Sequence, residues 1–136
     1  MFTIDMLPAG YGDCLLIEYG DAQTTHRVLI DGGLSSTFDI LRERISKMPA
    51  GERHFELLII THIDADHIEG AIRLLGSVTA LGVTFGDIWF NGWKHLPGSK
   101  VSKDEYLNGK HGEFLSALIE DNNLPWNCAF DNAAVV

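Results

Sequence analysis

The segment Leu57–Gly70 reads LLIITHIDADHIEG, and its order of residue types predicts a metal-binding loop between a buried strand and a helix. The apolar run 55–61 is typical of a strand covered on both faces. Imidazole nitrogens with carboxylate oxygens are the usual ligands of catalytic zinc, manganese or iron sites, whereas structural zinc sites favour thiolates. The two cysteines, Cys14 and Cys128, form no CxxC pair, so a structural zinc knot is excluded. Four side chains of metal-ligand type follow the strand within six residues: His62, Asp64, Asp66 and His67.

Part of this pattern also has a purely structural explanation. Asp64 or Asp66 could cap a helix over residues 67–75, and Asp66 with Glu69 has the spacing of a capping box. A cap accounts for one carboxylate but not for the two histidines on either side of it. We therefore predict that the loop binds metal, whether or not it also caps the helix.

Together with two earlier segments, this loop resembles the metallo-beta-lactamase superfamily of metal-dependent hydrolases. THIDADHIEG (61–70) is similar to the family's HxHxDH signature, with Asp64 in place of the usual second histidine. This aspartate form resembles the hydrolase domains of DNA-uptake competence channels and related uncharacterised bacterial hydrolases. GYGDCLLIEYG (10–20) resembles the family's opening hairpin, and VLIDGG (28–33) resembles its strand-ending Asp-Gly-Gly. The three motifs occur in the family's order.

The resemblance implies a role for each residue of the loop. His62 and Asp64 would hold one metal ion, and Asp66 and His67 would hold a second. Asp66 would also be the catalytic residue, because it would orient the attacking water. The expected cofactor is one or two divalent metal ions, with zinc favoured. The carboxylate at position 64 makes manganese or magnesium more competitive than in a zinc lactamase.

Four further residues are candidates around this loop. By resemblance, Asp31 would hydrogen-bond a ligating histidine and orient it, and Asp13 would line the site. The alternative for both aspartates is ordinary turn chemistry. His95 and His111 are weaker candidates for the family's third histidine ligand, because both lie in a polar stretch that contains lysines.

Predicted strands and helices alternate along the chain, which indicates an α/β fold. The resemblance implies a metallo-beta-lactamase-like αββα sandwich, of which residues 1–136 would form the N-terminal, loop-bearing half as one domain. The family's later ligands have no clear counterpart here. We therefore expect either a missing C-terminal half or a homodimer, with Trp126 and Phe130 as an apolar association patch.

Charge and cysteine content narrow the partners and the compartment. A net charge of −9 opposes stable nucleic-acid binding. Within residues 94–111, four lysines could accept a phosphodiester, but a solvated loop is the simpler interpretation. No apolar run is long enough to cross a bilayer, and the start of the chain lacks a signal peptide. With two widely spaced cysteines, these features predict a cytoplasmic protein that does not associate with membranes.

The ligand-type residues predict a metal site, and the resemblance implies that the protein is a metal-dependent hydrolase. A metal-activated water would attack an ester, thioester, amide or phosphodiester bond in a small-molecule or phosphodiester substrate. The fold alone does not identify the substrate. Two alternatives stay open: a non-catalytic metal- or partner-binding module with an incomplete site, and a phosphodiesterase or nuclease.

Overall fold

One mixed sheet organises the chain in the computed structural model, which describes residues 1–96 and 110–136. The strands are β1 (Phe2–Met6), β2 (Leu15–Gly20), β3 (Thr25–Ile30), β4 (His54–Ile59) and β5 (Thr84–Trp89). The helices are α1 (Thr37–Ser46), α2 (Ala65–Leu75), α3 (Val78–Leu81) and α4 (Lys110–Asp121). Short 3₁₀ turns lie at Ala50–Glu52, Trp93–His95 and Cys128–Phe130. The predicted α/β class is confirmed.

The order of strands across the sheet follows the order of the chain, β1-β2-β3-β4-β5. β1, β2 and β3 pair antiparallel, whereas β3, β4 and β5 pair parallel. Parallel strands end at the same edge of a sheet, and this edge is where α/β proteins place their ligands. The Asp31 amide, directly after β3, donates to the Ile59 carbonyl at the end of β4 (2.8 Å). The segments 31–33 and 60–67 therefore meet at this edge.

Helices cover one face of the sheet. A row of residues in register across four strands is fully buried on this face: Leu16, Leu29, Leu58 and Ile88. α2 packs against both α1 and α4, and its buried residues join the same hydrophobic core as this row. This packing holds the start of α2 beside the ends of β3 and β4.

The opposite face of the sheet is apolar and partly open. The β1 side chains Phe2, Ile4 and Met6 are 68%, 54% and 77% exposed. The alternation in β1 predicts a half-buried strand, and this prediction is wrong. On the other side of β1, Asp5 faces the helices and pairs with Arg44 of α1 (Nη2–Oδ2 2.7 Å). Alternation identifies two faces but not which of them the rest of the chain covers.

Trp126 does not form an exposed association patch, contrary to the sequence-based expectation. It is only 7% exposed, and its indole N–H donates to the Phe90 carbonyl (2.7 Å). Phe130 packs edge-on against Trp89 (ring centroids 5.1 Å apart). Self-association stays a prediction. Among the described residues, exposed large apolar side chains that could serve it lie on β1 and at scattered positions elsewhere, such as Phe114 of α4 (60% exposed).

The segment between α2 and β5 differs from its sequence pattern, which predicts a loop at 80–86 followed by a strand at 87–91. Residues 78–81 form α3, and Gly82 ends it in the left-handed conformation (φ 64°), as glycine commonly does after a helix. β5 therefore starts at Thr84, three residues earlier than predicted. Asp87, in the edge strand β5, holds the C-terminal segment against the sheet. Its carboxylate accepts hydrogen bonds from the amides of Cys128 and Ala129 (3.0 Å each).

The lysine-rich stretch falls mainly outside the described residues, and these include Lys100 and Lys103. Lys94, which is described, is engaged. Its ammonium group pairs with Glu120 (3.1 Å) and lies 4.0 Å from the centre of the Trp126 ring.

None of the described helices combines the length and the apolar character that a bilayer crossing requires.

The two cysteines should differ sharply in reactivity. Cys14 is 1% exposed, and burial, with a smaller contribution from the charge of Asp31, raises the pKa of its thiol to about 12. Cys128 is exposed. Because the thiolate is the reactive form, we expect one thiol per native chain to react with Ellman's reagent at about pH 8. Cys128→Ser should abolish this reaction and Cys14→Ser should leave it unchanged. Rapid reaction of two thiols in the native protein would contradict the prediction.

Candidate metal centre

The segment 61–67, which contains His62, Asp64, Asp66 and His67, is called the metal loop from here on. It runs directly into α2, which begins at Ala65, two residues earlier than predicted. Asp64 occupies the N-cap position, but no side chain caps the helix there. Asp66 lies within the first turn, and Glu69 accepts a hydrogen bond from the Ser35 amide instead (3.0 Å). The proposed capping box is therefore wrong, because the true helix start moves Asp66 out of the capping position. The carboxylates of Asp64 and Asp66 are left available at the edge of the sheet.

Three glycines let neighbouring backbone segments approach this loop closely. A Cβ atom on Gly12 would lie 1.8 Å from the Asp66 carbonyl oxygen, so only glycine fits there. The Gly32 amide donates to the His67 carbonyl (2.7 Å). Gly70 packs directly on Gly32, whose carbonyl oxygen would lie 1.9 Å from an added Cβ. The opening hairpin and the Asp-Gly-Gly turn therefore hold the first turn of α2 through backbone contacts.

Asp31 connects the turn after β3 to the metal loop. Its residue is 2% exposed and has a positive φ of 58°, which aspartate tolerates better than most residues. Oδ1 accepts a hydrogen bond from the Thr61 amide (2.8 Å). Oδ2 accepts from the Thr61 hydroxyl (2.6 Å) and lies 2.9 Å from Nδ1 of His67. A carboxylate can only accept, so Nδ1 of His67 carries the hydrogen, and Nε2 is the nitrogen free for a metal.

The four loop residues form two histidine–aspartate pairs. Nε2 of His62 lies 3.8 Å from Oδ2 of Asp64, and Nε2 of His67 lies 3.4 Å from Oδ2 of Asp66. The two imidazole rings are adjacent, with centroids 3.7 Å apart. The first pair is open to solvent, whereas the His67 side chain is only 11% exposed. These are the pairs that the resemblance implies for two metal ions, and their nitrogen and oxygen donors fit a divalent cation with open positions.

Asp31 could itself be considered as a ligand, because one of its oxygens and one nitrogen each of His62 and His67 lie within 4.8 Å of one another. Its two oxygens, however, already receive three hydrogen bonds from Thr61 and His67. This occupancy favours an orienting role behind the candidate ligands, of the kind that usually fixes a metal-binding histidine.

Asp13 and His111 lie at the periphery of this cluster. Oδ2 of Asp13 is 3.7 Å from Nδ1 of His67, which is beyond hydrogen-bonding distance. Nε2 of His111, in the first turn of α4, is 3.4 Å from Glu69. Among the described residues, neither joins the group of three potential ligand atoms, and Asp64 and Asp66 also lie outside it.

His95 lies in different surroundings, against the edge of the Trp126 ring (centroids 4.6 Å apart). It is 4% exposed, and its Nδ1 accepts a hydrogen bond from the Gly92 amide (3.1 Å). Burial, followed by the nearby charge of Lys94, lowers the pKa of His95. Within the described part of the chain, it belongs to no group of three potential metal ligands.

Thr61 contacts the site through its backbone and its side chain, and the sequence did not mark it as a site residue. Its hydroxyl oxygen lies between the Asp31 carboxylate (2.6 Å) and Nδ1 of His62 (3.1 Å). The only signal in the sequence was its position between the apolar strand and the first histidine.

A cleft of about 340 Å³ borders the metal loop and includes His62 in its wall. It lies between the ends of β4 and β5, and Val135 closes one side. Its lining combines apolar residues with the polar residues Thr61, His62 and Asn91, as is usual for small-molecule sites. A substrate bound here would lie beside the His62–Asp64 pair.

Comparison with known proteins agrees with this arrangement. The family model described as the metallo-beta-lactamase superfamily matches residues 7–125, which is 119 of the 136 residues. The matched segment contains the glycine-rich hairpin, the Asp31 turn and the metal loop. A search of curated proteins found no match. Because the family match covers most of its length, the chain belongs to the metallo-beta-lactamase superfamily.

Proposed function

We propose that this chain is a metal-dependent hydrolase domain that uses the two histidine–aspartate pairs of its metal loop. The observation that carries the proposal is the anchoring of this loop by Asp31. His67 is oriented by a hydrogen bond to the buried Asp31 carboxylate, and its Nε2 faces Asp66 (3.4 Å). A histidine fixed in this way by a carboxylate is typical of a metal ligand rather than of a packing residue.

Each residue of the site then has a distinct task. His62 and Asp64 would hold one divalent ion, and Asp66 and His67 would hold a second. When bound, such ions lower the pKa of a coordinated water, so that hydroxide is available near neutral pH. Asp66, half-buried in the first turn of α2, would accept a hydrogen bond from this water and direct it toward the substrate. The cleft beside His62 would hold the substrate next to this water.

The donor set also bears on which metal binds. Two imidazoles and two carboxylates suit zinc, and the oxygen-rich His62–Asp64 pair suits manganese or magnesium as well. We propose zinc as the resident metal.

The substrate would be an ester, thioester, amide or phosphodiester small enough for a cleft of about 340 Å³. Cys14 and Cys128 are both free thiols, which suits the reducing cytoplasm.

Removal of both histidines should abolish metal binding without unfolding the chain. We expect elemental analysis to find one or two zinc ions per wild-type chain, and none in His62→Ala/His67→Ala. The matched control is His26→Ala/His54→Ala, which removes two histidines from the opposite end of the parallel strands and should keep the metal. Retention of metal by the first variant, or its loss from the control, would contradict the assignment.

A substrate panel then separates the three candidate functions. The metal-loaded protein would be tested with p-nitrophenyl acetate, a nitrocefin-type lactam, a thioester and bis-p-nitrophenyl phosphate, in the presence of zinc or manganese. Hydrolysis that His67→Ala abolishes would support a hydrolase, and selective cleavage of the phosphate diester would identify a phosphodiesterase. Bound metal without any turnover would favour a non-catalytic binding module and would contradict the proposal for this chain.

A further inference from the structure

The Thr61 hydroxyl has one hydrogen and two neighbours that could receive it. Its oxygen is 2.6 Å from Oδ2 of Asp31 and 3.1 Å from Nδ1 of His62. The Asp31 carboxylate has no hydrogen to donate, so the short contact requires the hydroxyl to donate to it. A bond of this length to a charged acceptor is also the stronger of the two. The hydroxyl hydrogen is therefore committed to Asp31.

The direction of this hydrogen bond determines which ring nitrogen of His62 carries a hydrogen. The remaining lone pairs of the Thr61 oxygen can only accept, so the 3.1 Å contact is a hydrogen bond when Nδ1 of His62 carries a hydrogen. A neutral imidazole has one N–H, and its Nε2 is then an unprotonated lone pair. Nε2 is the nitrogen that lies beside Asp64. His62 is thereby placed in the same tautomer as His67.

The geometry of Thr61 holds the hydroxyl in this position. Its amide donates to Oδ1 of Asp31 (2.8 Å) while its hydroxyl donates to Oδ2 (2.6 Å), so one residue binds both oxygens of the carboxylate. Threonine is also branched at Cβ, which restricts rotation about χ1. The oxygen cannot turn away from His62 without breaking its bond to Asp31.

We propose that Thr61 is a positioning residue that links Asp31 to His62 through two consecutive hydrogen bonds. This hydrogen-bond relay keeps the hydrogen of His62 on Nδ1 and leaves Nε2 as its metal-binding nitrogen. Asp31 would thus set the tautomers of both loop histidines, that of His67 directly and that of His62 through the Thr61 hydroxyl. This inference rests on the proposed metal-binding function, but the tautomer itself is a property of the metal-free protein.

The direct test is the tautomer of His62 in metal-free protein, measured by long-range ¹H–¹⁵N correlation NMR. The spectra should be recorded at an alkaline pH at which the ring ¹⁵N shifts themselves show that both imidazoles are neutral. We expect Nδ1–H at His62 in the wild type and in Thr61→Ser, which keeps the hydroxyl. Thr61→Val, which keeps the shape but removes the hydroxyl, should lose this preference. His67 should stay Nδ1–H in all three proteins and serves as an internal control.

The outcomes decide the proposal without reference to activity. An Nε2–H tautomer at His62 in the wild type would overturn it, and so would an unchanged Nδ1–H tautomer in Thr61→Val. The wild-type measurement decides the point even where Thr61→Val does not fold, which circular dichroism would reveal.

Metal affinity supplies a second and separate readout. Titration with cobalt(II), followed by its visible absorption, should show a loss of about 10- to 100-fold in affinity for Thr61→Val, the usual effect of removing such a partner. Thr61→Ser should remain close to the wild type. Equal affinities for the valine variant and the wild type would count against the relay. Absence of cobalt binding in every protein would instead refute the proposed function and leave the tautomer result standing.

Discussion

Asp31→Asn is expected to lower the free energy of unfolding by about 2–3 kcal/mol and the affinity for zinc by about 10- to 100-fold. The carboxylate is almost fully buried and receives three hydrogen bonds from Thr61 and His67. An amide of the same size places an NH₂ group against one of these donors, so at least one buried polar group loses its partner. Asparagine tolerates a positive φ, so the backbone at this position is not strained by the change.

Chemical denaturation in the presence of a chelator would measure the stability loss, and calorimetric titration with zinc would measure the affinity. The control is Asp39→Asn, which makes the same change at a side chain that is 56% exposed on α1. It should alter stability by less than about 0.5 kcal/mol and leave zinc affinity unchanged. Equal effects of the two substitutions would show that Asp31 is an ordinary turn residue.

Gly70→Ala is expected to destabilise the protein by about 3 kcal/mol or more, although helix propensity alone would favour alanine by about 1 kcal/mol. Gly70 lies inside α2, where a Cβ atom would sit 1.9 Å from the carbonyl oxygen of Gly32. The neighbouring atoms are backbone and cannot rotate away. The helix must therefore move from the Asp-Gly-Gly turn, which separates His67 from Asp31.

Thermal and chemical unfolding would measure this effect, and zinc titration would show whether the site is lost with it. Gly51→Ala is the matched control, because no atom lies within 4 Å of its added Cβ. We expect a change within about 0.5 kcal/mol for the control. A stabilising effect of Gly70→Ala would mean that the contact between these two backbone segments is loose.

The candidate site could be predicted from sequence because its chemistry is concentrated in one loop. Four ligand-type residues after an apolar strand specify both the place and the kind of site. The hydrogen bond between Asp31 and His67 joins residues 36 positions apart. The family resemblance predicted that Asp31 orients a histidine of the loop, whereas no local sequence pattern indicated a contact between residues so far apart.

Other features could not be predicted, for identifiable physical reasons. Several aspartates near a helix start are equally good caps, so the sequence placed the beginning of α2 two residues late. The alternation in β1 does not reveal that its apolar side is the open one. Trp126 was predicted to belong to an exposed aromatic patch, and the sequence does not reveal that its indole N–H donates to the buried Phe90 carbonyl. Each case depends on contacts with distant parts of the chain.

The sequential order of the strands has a consequence for refolding. β1, β2 and β3 form a meander within the first 30 residues, so their contacts close over short loops. The contacts of Asp31 with Thr61 and His67 span 30 and 36 residues and require the crossover through α1 to β4. Long-range contacts of this kind form more slowly than local ones. Capture of a metal ion should therefore be a late event in refolding, reporting the arrival of β4 and α2 on a meander that is already formed.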